Sequence, residues 1–209
     1  MSKRILMFPA ALALAFAVVT GAVVALGELP GERALVVAAL AARSDGLTAP
    51  IQAITFLTSA APALAICTLC TFLEFRRRGR SVQALWPLVV YFGHLACNVA
   101  LRIAVGRMRP DVEYIPNLLP EIQASFQQFS YPSGHAGSAV VAWGALAFTL
   151  RNSALRIPAT VAAALLIGGT SFGRIYLGVH WPSDVLGGLL LAGAWLTGTT
   201  SATLPPPRR

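Results

Sequence analysis

Charged residues along this 209-residue chain are spaced so that uncharged stretches of one characteristic length keep recurring. A bilayer core about 30 Å thick is crossed by about 20 helical residues, and residues 5–27, 46–73, 81–101, 157–173 and 185–207 each form such a stretch. A sixth gap, 122–150, opens with Gln123, Ser125, Gln127, Gln128, Ser130 and Pro132. That part is too polar for lipid, so its helix is expected to begin near Gly134 and end at Leu150. Residues 34–42, between Arg33 and Arg43, are too short to cross and suit a helix lying in the interface. The first stretch exceeds the 7–15 apolar residues usual in a signal peptide and is read as an uncleaved span. The expectation is an all-α membrane protein: six transmembrane helices in one bundle, a short interfacial helix after the first span, and one domain over 1–209 with its motif-bearing core at about 80–204.

Charge tests this reading. Only 11% of residues are charged and 56% are hydrophobic, against roughly 25% charged in a soluble domain. The net charge of +8 could suit nucleic acid, but its distribution argues otherwise. With six spans, Lys3, Arg4, Arg76, Arg77, Arg78, Arg80, Arg151, Arg156, Arg208 and Arg209 share one side with only Glu74. The opposite side holds Arg33, Arg43, Arg102, Arg107, Arg109 and Arg174 against Glu28, Glu32, Asp45, Asp111, Glu113, Glu121 and Asp184. The positive-inside rule then places both termini in the cytoplasm. Basicity here records topology, with the bilayer as partner and no nucleic acid. Cys67 and Cys70 form a C-x2-C with no second pair to complete a metal site, and read as small apolar fillers.

Four of the six outer arginines sit at span ends: Arg102, Arg107 and Arg109 after the third, Arg174 after the fifth. The outer ends also carry Tyr131-Pro132-Ser133-Gly134-His135 and His180-Trp181-Pro182-Ser183-Asp184. In a bundle these segments can converge on one pocket, and their groups suit a phosphate. Arginine's fork binds phosphate oxygens bidentately, and a helix starting near Gly134 aims unpaired N–H groups at an anion. The imidazoles supply a nucleophile and a proton donor near neutral pH. Asp184, four residues after His180, is placed to hold its Nδ1 proton and expose Nε2. His135, with no carboxylate near it in sequence, suits a proton donor to the leaving oxygen.

Arg102-x6-Arg109-Pro110, Pro132-Ser133-Gly134-His135 and Arg174-x5-His180-x3-Asp184 resemble the three ordered motifs of the type 2 phosphatidic acid phosphatase family, which also includes vanadium haloperoxidases. The resemblance implies phosphate binding by Arg102, Arg109, Ser133, Gly134 and Arg174. It implies His135 as acid, His180 as nucleophile, Asp184 as its orienting carboxylate, and no metal or other cofactor. It further implies a membrane lipid phosphatase of the bacterial cell membrane. Such an enzyme would act on phosphatidic acid, phosphatidylglycerol phosphate or undecaprenyl pyrophosphate through a phosphohistidine, with its site on the extracytoplasmic (periplasmic) face. Two positions depart from the family pattern, Arg102 for the usual lysine and Gly173 for the usual serine. Gly173 can be read as a missing hydroxyl donor or, with Gly169, as a close-packing G-x3-G. Serine is small enough to be tolerated at many such contacts, so Gly173→Ser is expected to leave activity unchanged or modestly raised.

Plainer readings stand beside these. Arg107 is either catalytic or a snorkelling anchor; His94, with Asn98 and Arg102 at i+4 and i+8, is expected to be a hydrogen-bonded packing histidine; Gly188 and Ala192 suit close helix contact; Trp181 is expected to border the pocket. A small transporter or channel with an anion-binding outer vestibule is the alternative from another class, but transporter sites sit near the midplane, whereas these ionisable groups gather at span ends. A haloperoxidase is disfavoured by the spans.

Overall fold

The computed structural model describes residues 3–79, 81–110 and 128–203. Arg80, the polar stretch 122–127 with Gln127, the acids Asp111, Glu113 and Glu121, and the tail from 204 onward lie outside the described residues.

The described residues form helices α1 (Lys3–Leu26), α2 (Glu32–Ala41), α3 (Asp45–Leu57), α4 (Ala60–Arg78), α5 (Trp86–Val105, preceded by a 3-10 turn, Val82–Leu85), α6 (Gly134–Thr149), α7 (Arg156–Tyr176) and α8 (Pro182–Thr203). Extended pairing among them is limited to one isolated bridge, Met108 to Phe129. α6 runs through the middle of the bundle, touching α4, α5, α7 and α8, while α1 packs on α8 and α3 on α7. Ala63, Cys67, Trp86, Val90, Val141, Ala142, Ala145 and Ala192 make the core, so Cys67 serves there as an apolar filler. Trp195 packs against Gly93, where a Cβ would come within 2.3 Å of its ring.

Three segments, Met7–Leu26, Val82–Val105 and Arg156–Tyr176, are each long and apolar enough to cross a bilayer, and α3 with α4 makes a fourth if that bent pair counts as one pass. Residues 46–73 are thus not one straight helix: the axis turns by 47° between Leu57 and Ala60. Pro62 in the first turn of α4 needs no N–H there, but in an unbroken helix its ring would meet the carbonyl of Thr58. Instead Thr58 Oγ1 bonds back to the Thr55 carbonyl at 3.0 Å and meets Thr170 Oγ1 at 2.9 Å. By the same length criterion six spans are not reached among the described residues. α6 has 16 residues, about 24 Å of helix, short of a full crossing. Large apolar side chains face outward along the bundle, among them Met7, Leu14, Val18, Phe72, Phe92 and Leu165. So much exposed apolar surface marks a membrane protein.

The glycine pairs act by close approach. A Cβ on Gly169 would stand 3.2 Å from Ile54 Cγ2, and one on Gly173 would stand 2.8 Å from Ile51 Cγ2 and 3.0 Å from Thr55 Cγ2. Gly173 therefore faces α3, and the missing-hydroxyl reading gives way to packing. Gly188 is pressed against the Ser133 carbonyl, at 2.4 Å from a Cβ there. His94 is buried beside Gly137, and neither ring nitrogen makes the expected hydrogen bond to a described residue.

Candidate active site

Two left-handed glycines bring the arginine and histidine segments off their helices. Gly106 (φ 62°) closes α5 with its N–H on the Arg102 carbonyl at 3.0 Å, a conformation costly for any residue with a Cβ. Arg107 and Arg109 consequently leave the helix, and Ser130 N–H donates to the Arg107 carbonyl at 2.7 Å, tying that strip to the segment before α6. Gly178 (φ 68°) follows α7 just beyond Arg174 and turns the chain into His180.

Ser133 precedes the first turn of α6, and its N–H donates to the Asp184 carbonyl at 2.9 Å, joining the α6 entry to the start of α8. Asn98 Nδ2 donates to the Pro132 carbonyl at 3.2 Å, and Arg102 Nη2 reaches Asn98 Oδ1 and that carbonyl at 3.4 Å each. A Cβ on Gly134 would stand 3.1 Å from Arg102 Nη2, so glycine leaves the guanidinium its place over the helix entry. His180 is buried, with Nδ1 3.4 Å from Asp184 Oδ2 and Nε2 3.3 Å from Arg109 Nη1. Since arginine can only donate, Nε2 accepts and the ring proton belongs on Nδ1, facing the carboxylate. Arg109 Nη1 also donates to the Val179 carbonyl.

One electrostatic neighbourhood holds these groups. Burial first, then Arg109, Arg174, Arg102 and lastly His135, push the imidazolium form of His180 well below the ordinary histidine range. Arg109 is pushed down to about 10, by burial and then by Arg102, with Asp184 opposing. His135, half-buried, feels the same three arginines. Ser133 Oγ and the Nε atoms of Arg102 and Arg174 are buried without a hydrogen-bond partner among the described residues. Unpaired buried donors are costly, and here they stand where three cations and a helix N-terminus meet, an arrangement able to take phosphate oxygens.

The eight residues singled out from sequence, Arg102, Arg109, Ser133, Gly134, His135, Arg174, His180 and Asp184, thus gather at one end of the bundle. Arg107 does not share the phosphate-type cluster. It is buried, donating from Nη1 to Asp184 Oδ1 and Ser183 Oγ at 2.7 Å each and from Nη2 to Glu32 Oε2 at 2.6 Å. Trp181 is buried too, with the Arg33 and Arg107 guanidinium groups over its ring at 5.7 and 5.3 Å and its N–H on the Met108 carbonyl at 3.0 Å. In the sequence Glu32 is one acid among those on the outer side, and Ser183 carries no role of its own. Nothing local marks them as partners of Arg107, which lies 75 or more positions from each.

Comparison with known proteins places this geometry in context. The PAP2 superfamily signature matches residues 83–205. Phosphatidylglycerophosphatase B of Bacillus subtilis is 30% identical over 192 residues, 88% of each chain. Undecaprenyl-diphosphatase of Sulfolobus acidocaldarius is 30% identical over 129 residues, 62% of this chain and 56% of that protein. Lipid A 1-phosphatase of Rhizobium johnstonii is 36% identical over 119 residues, 54% of this chain and 43% of that one. The last two are thus matched over only about half their length. Among solved structures, a transmembrane PAP2 type phosphatidylglycerolphosphate phosphatase from Bacillus subtilis superposes with a TM-score of 0.79 at 25% identity, covering 92% of this chain and 94% of its own.

Proposed function

Because the chain belongs to the PAP2 superfamily, we propose that it is a membrane lipid phosphatase, hydrolysing a phosphomonoester or pyrophosphate through a phosphohistidine. One observation carries this reading: the buried His180, held between Asp184 and Arg109, stands in the field of Arg174, Arg102 and His135. Arg102, Arg109, Arg174, Ser133 Oγ and the N–H groups from Gly134 onward hold the phosphate oxygens. They neutralise charge that spreads over those oxygens as the phosphoryl group transfers.

Nε2 of His180 attacks phosphorus while the bond to the leaving oxygen breaks. Asp184 keeps the proton on Nδ1 and stabilises the cationic ring that results. His135 gives its proton to the leaving oxygen, then takes one from the water that cleaves the P–N bond, restoring both histidines and releasing inorganic phosphate. Arg109 must exchange its contact with Nε2 for the phosphate, so substrate binding itself frees the nucleophile. The charge that a metallophosphatase takes from a metal comes here from three arginines.

The outward apolar surface and the substrates named for the relatives support a lipid phosphate or pyrophosphate as substrate, of the phosphatidic acid, phosphatidylglycerol phosphate or undecaprenyl pyrophosphate kind. In this reading 1–209 is one domain crossing the membrane six times, α3 and α4 forming one bent pass and α2 lying on the outer interface. The termini are cytoplasmic, beside Arg76, Arg77, Arg78, Arg151 and Arg156, and the site is extracytoplasmic. Phosphate release by the detergent-purified full chain from a panel of these lipids tests the reading. Release from at least one, lost in His180→Ala, is expected; release from none overturns it.

A further inference from the structure

Asp184 lies between the neutral His180 ring and the Arg107 guanidinium, and its carboxylate is divided between them. Oδ2 takes the Trp181 N–H at 2.8 Å and faces His180 Nδ1 at 3.4 Å, whereas Oδ1 takes Arg107 Nη1 at 2.7 Å. Arg107 is in turn held from the other side by Glu32 Oε2 at 2.6 Å, and Glu32 Oε1 accepts the Ser183 N–H at 2.7 Å. Glu32, Arg107, Ser183 and Asp184 are all nine-tenths or more buried, with Asp184 at 0% exposure. Burial would favour a neutral Glu32, but bonds from Ser183, the Leu29 N–H and Arg107 outweigh it and hold the carboxyl below its ordinary range.

The same short helix holds the neighbouring segments. Arg33 lies over the Trp181 ring, and Arg43, just past the end of α2, donates from Nε to the Tyr176 carbonyl at 3.1 Å at the end of the helix that carries Arg174. α2 therefore braces the stretch from Arg174 to Asp184 at both ends. An Arg107 paired with Asp184 alone would draw that carboxylate away from His180; Glu32 shares the guanidinium and balances the pull.

From this geometry we propose that Glu32 is a positioning residue which, through Arg107 and Ser183, sets the Asp184 carboxylate against His180, making the interfacial helix α2 part of the catalytic support. The inference rests on the phosphatase reading above. Removing the Glu32 charge then acts on the rate of phosphoryl transfer and hardly on substrate affinity, because Glu32 has no contact with the phosphate ligands. Its effect passes through Asp184 and should vanish when that carboxylate is already absent.

The experiment is a double-mutant cycle on the detergent-purified full chain, with kcat, KM and thermal unfolding measured for wild type, Glu32→Gln, Asp184→Asn and the double variant. Arg107→Lys is run in both backgrounds as a second probe, since a lysine ammonium cannot bridge two carboxylates and a serine as the fork does; it gives the answer if Glu32→Gln fails to fold. Glu32→Gln is expected to lower kcat by about 10-fold or more with KM within about 3-fold, and to cost less than about 2-fold once Asp184 is Asn. Equal losses in both backgrounds, or wild-type kcat in Glu32→Gln while Asp184→Asn is impaired, overturn the positioning role alone. An Asp184→Asn variant as active as wild type overturns the phosphatase assignment of Asp184 and this inference with it.

Discussion

Arg109 Nη1 stands 3.3 Å from Nε2 of His180, on the ring nitrogen opposite the one that faces Asp184. The contact occupies the lone pair that attacks phosphorus and places a positive charge where the imidazolium would be least welcome. It therefore bears on when His180 is active as well as on what it binds.

The first consequence is a pH dependence. Burial and the nearby arginines hold the folded-state pKa of His180 well below the histidine value of 6.5, so the neutral ring persists as pH falls. If protonation of His180 sets the acid limb of kcat/KM, that limb lies below pH 6.5. Arg109→Gln removes the largest single charge acting on the ring, so the limb moves up in pH while the rate falls. Initial rates between pH 4 and 8 check both; a limb at 6.5 unmoved by Arg109→Gln contradicts them.

His135 and His180 should fail differently. His180→Ala abolishes label trapped on the protein in an acid-avoiding quench. His135→Ala still forms the phosphohistidine from a substrate with a good leaving group, but loses about 10²–10⁴-fold with a poor one. Equal losses for the two substrates would remove the proton-donor role.

Ser133 separates stability from activity. Its hydroxyl is fully buried with no hydrogen-bond partner among the described residues, a condition that costs about 1–3 kcal/mol. Ser133→Ala should leave Tm unchanged or raised while kcat falls about 10²-fold or more, as for removal of one preorganised oxyanion donor. Paired measurement of Tm and turnover tests this, and parallel losses would show a structural hydroxyl.

Gly173→Ala and Gly173→Ser should both destabilise, by about 1–3 kcal/mol, as overpacking does, because their Cβ meets Ile51 and Thr55 of α3 at 2.8 and 3.0 Å. The serine is not expected to raise activity, which narrows the unchanged or modestly raised activity expected from sequence. Thermal unfolding in detergent, with turnover at a temperature where both variants are folded, decides; a gain in activity unique to serine would restore the missing-donor idea.

The membrane face of the site can be read with cysteine at Met108, which is 57% exposed beside Arg107 and Arg109. An impermeant thiol reagent should label Met108→Cys in intact cells, with Cys97 replaced and the buried Cys67 and Cys70 left in place. Labelling only after lysis inverts the proposed topology.

The helices and their polar ends were legible because both follow from local spacing. A run of apolar residues long enough for a bilayer forms a helix wherever it sits, and the start of α6 at Gly134 is marked by the polar segment before it. The motif residues were legible for a related reason: each brings its own chemistry, and their places at helix ends bring them to one end of the bundle. The tertiary structure alone decided the pairings that depend on how helices lie against one another. Gly173 against Ile51, and Arg107 turned from the phosphate cluster toward Glu32 and Asp184, are relations across tens to over a hundred residues. Residue type is too weak a guide there: an arginine next to a phosphate site and an arginine buried between two carboxylates look the same in sequence. Only the packing of α2 against the start of α8 distinguishes them.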